Sequence, residues 1–198
     1  MKYASLLFCL LFVTAAHGFA PNALRNRIAH DTVIQGHPCA KGEAWFYPDG
    51  SLNQCTLARP AEVGDIRIPS RSLIELWPDG SAEYVTFRHS TVIDGYHVRG
   101  GGRFGFARGA TATFYRNGNL RSIYLIANQA IQGVPCRGGS WNTFTDPTGG
   151  GTLVEFYEDG KLASCKLTRD YSGFRSGERL VLPRLNTAGE FAGSASSR

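Results

Sequence analysis

The residues of this chain that could act chemically are few and loosely grouped. Carboxylates stand four positions apart at Asp79 and Glu83, and again at Glu155 and Asp159. Such pairs serve general acid–base catalysis when burial lifts one pKa toward neutrality. Both pairs straddle a turn expected at the surface, where desolvation does not raise a carboxyl, so no catalytic residue is expected. The internal histidines His37, His89 and His97 lack the HxH or HExxH spacing that aims two imidazoles at one metal. The stretch GGGRFG from Gly100 to Gly105 matches a dinucleotide fingerprint only in letters. That motif needs a preceding strand and a following helix, whereas Thr111 to Tyr115 continues as a strand. No GxSxG elbow occurs. Neither a cofactor nor a metal is expected.

The more suggestive group is aromatic. Tyr47, Trp77, Tyr115 and Tyr157 each stand two residues before an Asp-Gly or Asn-Gly dipeptide: Asp49-Gly50, Asp79-Gly80, Asn117-Gly118 and Asp159-Gly160. If the units carrying them stack in register, these four rings form a stripe that could hold a glycan chain or a peptide. The alternative is that they pack on the neighbouring repeat.

The elements that must position them are four repeats, Trp45 to Leu57, Glu75 to Phe87, Thr113 to Leu125 and Glu155 to Leu167. Apolar residues flanking an Asp-Gly or Asn-Gly turn signal a β-hairpin. Pro48 and Pro78 fix φ near −65°, which excludes a type I′ turn and predicts a type I turn closed by a left-handed glycine. A second motif, Ile34-Gln35-Gly36, Ile93-Asp94-Gly95 and Ile131-Gln132-Gly133, is read as the strand leading into a repeat, with Tyr171-Ser172-Gly173 as its last, degraded copy. One hairpin alone is marginal in water, so the units must stack to bury an apolar face.

From Thr32 to Gly173 this pattern of aromatic-x-Asp/Asn-Gly turns resembles the MORN-type repeat proteins and their bacterial relatives. The resemblance implies stacked hairpins in an elongated sheet, in a family of interaction or membrane-associated modules. The expected fold class is therefore all-β: antiparallel hairpin repeats in an elongated or open twisted sheet.

Four cysteines lie beyond the first 18 residues, and sequence alone allows three pairings. Cys39 precedes the first turn in GHPC and Cys55 follows it. Cys136 precedes the fourth turn in GVPC and Cys165 follows it. Equivalent positions imply equivalent neighbours, so Cys39 should join Cys55 and Cys136 should join Cys165, stapling the two end repeats. Val85 and Ile123 stand where Cys55 and Cys165 do, as a core-facing position requires.

At the N-terminus, Lys2 and the apolar run Ala4 to Ala16 read as an export signal, too short for a spanning helix of roughly 20 residues. Cleavage is expected before Phe19, and Cys9, after Phe8, lacks a lipoprotein context. The expected division is a signal peptide over 1–18, an extension over 19–31, one repeat domain over 32–186 and a disordered tail over 187–198. Without the leader, 20 basic residues face 16 acidic ones, a net +4, and they are scattered. No basic stripe with interleaved aromatics suggests nucleic acid. Twenty-four glycines, nine prolines and one methionine describe many turns. The glycine-rich segment Gly138 to Gly151, with Trp141, is read as an inserted loop. Together these readings predict a secreted or periplasmic, non-enzymatic module that binds an envelope polysaccharide or protein. A hydrolase of envelope polymer, with carboxylates from different repeats, is the alternative.

Overall fold

A computed structural model of the chain describes residues 23–63, 66–101, 111–139 and 152–183. The expected signal peptide and its cleavage site, most of the two glycine-rich segments and the expected tail lie outside the described residues. Within them the protein is all-β and antiparallel.

The four repeats form long hairpins: β3 (His37–Phe46) with β4 (Leu52–Leu57), β7 (Leu73–Leu76) with β8 (Ala82–Thr86), β11 (Thr111–Phe114) with β12 (Leu120–Tyr124), and β15 (Leu153–Phe156) with β16 (Leu162–Lys166). They join side by side into one open sheet of order β1-β3-β4-β7-β8-β11-β12-β15-β16-β17, with β2 (Thr32–Ile34) also paired to β3. The outer strands are β1 (Leu24–Ile28) and β17 (Arg179–Val181). β1 therefore places part of the expected N-terminal extension in the sheet. Its residues are almost all exposed, so it shows none of the alternation that marks the repeats.

The hairpin turns follow from their residues. In the first, the Gly50 amide donates to the Tyr47 carbonyl at 2.9 Å and the Tyr47 amide to the Ser51 carbonyl at 2.8 Å. The Asp49 carboxylate accepts from the Ser51 amide at 2.8 Å, and Gly50 takes φ +84°. Gly80, Gly118 and Gly160 repeat this geometry at φ +84°, +85° and +79°. It is the expected type I turn closed by a left-handed glycine, a conformation that costs glycine little. Each hairpin also carries a β-bulge at the same place, between Trp45/Phe46, Glu75/Leu76, Thr113/Phe114 and Glu155/Phe156. The extra residue on the partner strand is Asn53, Glu83, Arg121 or Ala163.

The Ile-x-Gly motif does more than lead a strand into a repeat: it closes a second, shorter hairpin. Gln35-Gly36, Asp94-Gly95 and Gln132-Gly133 have positive φ at both residues, the type I′ signature. They join β2 to the start of β3, β9 (Thr91–Ile93) to β10 (Tyr96–Val98), and β13 (Gln129–Ile131) to β14 (Val134–Cys136). Ser172-Gly173 has the same signs between bridged Tyr171 and Phe174. A further short hairpin, β5 (Ala61–Val63) with β6 (Ile66–Ile68), lies between the first two repeats.

Strand alternation sends one face of the large sheet inward. Read across the register, Ala44, Cys55, Ile74, Val85, Ala112 and Ile123 form one continuous row, each wholly buried. The short hairpins contribute Val63, Ile68, Ile93, Val98, Ile131 and Val134 to the same buried cluster. They form the second layer that covers the sheet's apolar face, which a lone hairpin could not bury. Disulfides join Cys39 to Cys55 and Cys136 to Cys165. At the equivalent core positions of the inner repeats stand Ile68 with Val85 and Val98 with Ile123.

Successive repeats also interlock through one backbone device. The Leu57 amide donates to the Ser72 carbonyl at 2.8 Å, while its carbonyl accepts from the Arg71 amide at 2.7 Å. Leu167 is held in the same way by Gly177 and Glu178, and Leu125 by Gly139 and Thr152. Phe87 accepts from the Gly101 amide at 2.7 Å. The two residues of the clamp adjoin in sequence at Arg71-Ser72 and Gly177-Glu178. After Gly101 and Gly139 the glycine-rich segments intervene. Gly100 and Gly138, just before these points, permit close backbone crossings: a Cβ there would stand 2.1 Å from the His89 carbonyl carbon and from the Ala127 oxygen respectively. The start of GGGRFG thus serves chain packing.

Candidate functional site

The face of the sheet turned away from the short hairpins carries the polar and aromatic side chains. One register row runs across it through Trp45, Gln54, Glu75, Tyr84, Thr113, Ser122, Glu155 and Ser164. One step toward the turns lies the aromatic row Tyr47, Trp77, Tyr115 and Tyr157, all half-buried. These rings follow β3, β7, β11 and β15, every second strand of the sheet. With strands about 4.8 Å apart, the rings recur at about 9.6 Å.

The structure sets the four rings in one row and packs three of them on the neighbouring chain, the alternative that the sequence left open. The Tyr47 hydroxyl donates to the Leu76 carbonyl at 2.8 Å and the Tyr115 hydroxyl to the Phe156 carbonyl at 3.0 Å. The Tyr157 hydroxyl donates to the Leu182 carbonyl. Tyr47 and Tyr115 thus clasp the following repeat and Tyr157 the segment after β17, at an equivalent position, while part of each ring stays accessible. Trp77 is the exception: its indole N–H is buried without a partner among the described residues. The Arg116 guanidinium lies 4.9 Å from the Trp77 ring centre, Arg121 lies 5.9 Å from that of Tyr115, and Arg25 lies 5.9 Å from that of Trp45. Cations over aromatic faces are attracted by the ring quadrupole.

Two electrostatic districts share this face. Around the second repeat, burial pushes the Glu75 carboxyl up, and the nearby charge of Glu83 adds to the effect. Burial also raises Glu83, with Arg116 and Arg121 opposing it. Tyr47, beside Asn53 and these acids, is raised as well, chiefly by burial. The expectation that desolvation does not raise a carboxyl in the turn-straddling pairs is thus overturned for Glu83. The bulge in β8 sets Glu83 into the sheet face, although Asp79 remains on the exposed turn. Asp79 itself is lowered by its hydrogen bonds from Ser81.

Around the fourth repeat the sign reverses. The Ser164 hydroxyl donates to Glu155 Oε2 at 2.6 Å and Arg179 donates to the same oxygen at 2.7 Å. The Ser164 bond, then Arg179, lowers the Glu155 carboxyl. Between the third and fourth repeats a groove of about 410 Å³ opens, walled by Tyr84, Tyr115 and Tyr157 with Arg121, Ser122 and Glu155. The Thr113 and Ser122 hydroxyls are hydrogen-bonded at 2.7 Å on the same face. Tyr84, Arg121, Ser122 and Thr113 were not legible as site residues. They assemble through cross-strand register, and the bulge position has no constant residue type to betray it.

Cys39, Cys55, Cys136 and Cys165 are bridged and wholly buried, away from this face. Burial lowers His37, whose Nδ1 is buried without a hydrogen-bond partner among the described residues. No group of three or more metal-ligating side chains occurs among the described residues. No helix among them is long and apolar enough to cross a membrane. No known protein family matches the chain, and neither a curated protein nor a solved structure shows significant similarity to it.

Proposed function

We propose that this chain is an exported, non-enzymatic repeat module that binds an extended envelope polysaccharide along the outer face of its sheet. The observation that carries this reading is the aromatic row. Its recurrence at about 9.6 Å, two strand spacings, is comparable to two linked sugar rings in an extended chain. Half-buried rings offer flat apolar faces to pyranoses, and the hydroxyl, amide and carboxylate groups beside them supply hydrogen bonds. A protein partner is favoured less. Of the large apolar residues exposed among those described, Leu24, Val33, Val92 and Phe174 come from the first edge strand and the short hairpins, and only Val181, paired with Ser164, continues the outer-face row. The apparent leader and the two disulfides support a secreted or periplasmic location.

Affinity electrophoresis of the mature protein in gels containing neutral or charged polysaccharides tests the reading. Retardation should occur in at least one polymer. It should be lost in Tyr115→Leu/Tyr157→Leu and kept in Tyr115→Phe/Tyr157→Phe, which retains the rings and removes only the clasps. Equal retardation of the wild type and the leucine variant would remove the aromatic row from binding.

One observation favours the second reading, a hydrolase of the same polymer. Glu75 and Glu83 are carboxyls raised by burial on the face that also holds the lowered Glu155, a contrast that acid–base catalysis exploits. Release of new reducing ends by the wild type, absent in Glu83→Gln, would establish it.

A further inference from the structure

We infer that the groove between the third and fourth repeats is a subsite for a carboxylated sugar, with Arg121 as the group that recognises its carboxylate. The inference rests on the polysaccharide reading and names the chemistry of one position within it.

The repeats agree at the turn, the aromatic and the core, and they differ at the bulge. That position is Asn53, Glu83, Arg121 and Ala163 in turn, so each unit presents a different group on a common frame. Only the third unit presents a cation. Arg121 enters the groove beside Tyr115, and no described carboxylate lies within ion-pair distance of it. The one carboxylate lining the groove, Glu155, is already held by Ser164 and Arg179. Glu83 on the adjoining hairpin and Glu155 both feel the charge of Arg121, but neither stands within ion-pair distance of it, so no described carboxylate is bound to its guanidinium. A guanidinium fork matches a carboxylate with two parallel hydrogen bonds. The volume of about 410 Å³ falls in the range of small-ligand sites. Tyr115 and Tyr157 provide ring faces on either side, and the hydroxyls of Thr113 and Ser122 provide partners for the hydroxyls of a sugar. One repeat earlier the equivalent position is Glu83, with Glu75 beside it, so a second carboxylate placed there would be repelled. A single anionic sugar in the groove is what the face accommodates.

Calorimetric titration of the mature protein with digalacturonate and with the matching neutral galactose disaccharide tests this, with a neutral hexasaccharide testing the aromatic row separately. The charged disaccharide should bind at least tenfold more tightly than the neutral one at low salt. Arg121→Gln should bring the two within twofold, and Arg121→Lys should restore part of the difference. Urea unfolding of both variants should match the wild type, showing that the groove is intact. No measurable binding of the charged disaccharide, equal binding of both by the wild type, or a preference that survives Arg121→Gln would each overturn the inference. Failure of the hexasaccharide and of every long polymer would instead overturn the polysaccharide reading itself.

Discussion

Exchanging Cys136 for Val and Cys165 for Ile would give the fourth repeat the residue pair that the third carries at Val98 and Ile123. Both of those residues are wholly buried, so the exchange removes the covalent link and keeps an apolar pair in its place. The link closes a separation of 29 residues, and the chain-entropy relation then assigns it about 3.6 kcal/mol. The matching exchange in the first repeat, Cys39→Ile with Cys55→Val, opens a separation of 16 residues and should cost about 3.1 kcal/mol by the same relation. Urea unfolding followed by tryptophan fluorescence and far-UV circular dichroism measures both. Replacing either pair by two alanines should cost more, because unfilled space is added to the lost link. A Val/Ile exchange no better than the double alanine would show that the positions are not equivalent in packing. A loss well below 1 kcal/mol would show that end-stapling contributes little and that the entropy argument fails here.

Four further outcomes are expected. Gly138→Ala drives a Cβ to 2.1 Å from the Ala127 oxygen and should cost about 3 kcal/mol or more, read as a fall in Tm. Gly118→Ala meets open space but keeps φ +85°, and should cost only about 1–2 kcal/mol. Tyr115→Phe removes one inter-repeat clasp and should cost about 1 kcal/mol in chemical denaturation, with the Tyr47 and Tyr157 changes similar. Glu75→Gln should alter the pH dependence of stability. The folded protein holds the Glu75 proton more tightly than the unfolded chain does, so this group's contribution falls as pH rises from the ordinary glutamate range through the raised folded pKa. The variant's Tm should therefore gain on the wild type at pH 7 and not at pH 4. An equal change at both values would mean that the side chain acts through packing alone.

The large hairpins and both disulfides were legible because their causes are local. Asp49-Gly50 and its three counterparts dictate the turn within four residues, and the equivalent placement of Cys39 and Cys136 before a turn and of Cys55 and Cys165 after it pairs the cysteines. The second layer was less legible. Asp94-Gly95 is itself a type I′ dipeptide, but its strands are only three residues long and lack room for alternation to declare them. The short hairpin of β5 and β6 has the inverted order Gly64-Asp65 between its strands, which carries no Asp-Gly or Asn-Gly signal. The Glu75 and Glu83 neighbourhood and the groove beside Arg121 depend on a bulge that shifts pairing by one residue. No residue type marks that shift, since Asn, Glu, Arg and Ala all occupy it.

The clamp on Leu57, Phe87, Leu125 and Leu167 implies a port for change. Its two halves are joined directly at Arg71-Ser72 and Gly177-Glu178, yet twelve residues, 140–151, separate them at Gly139 and Thr152 without altering the next repeat's register. Sequence length can therefore be added at this one point while the ladder, core and clasps remain fixed. The first and last junctions are natural places to graft a peptide, and such a fusion should leave the four-repeat frame intact. A lineage, or an engineer, could diversify the rim of this sheet without renegotiating its fold.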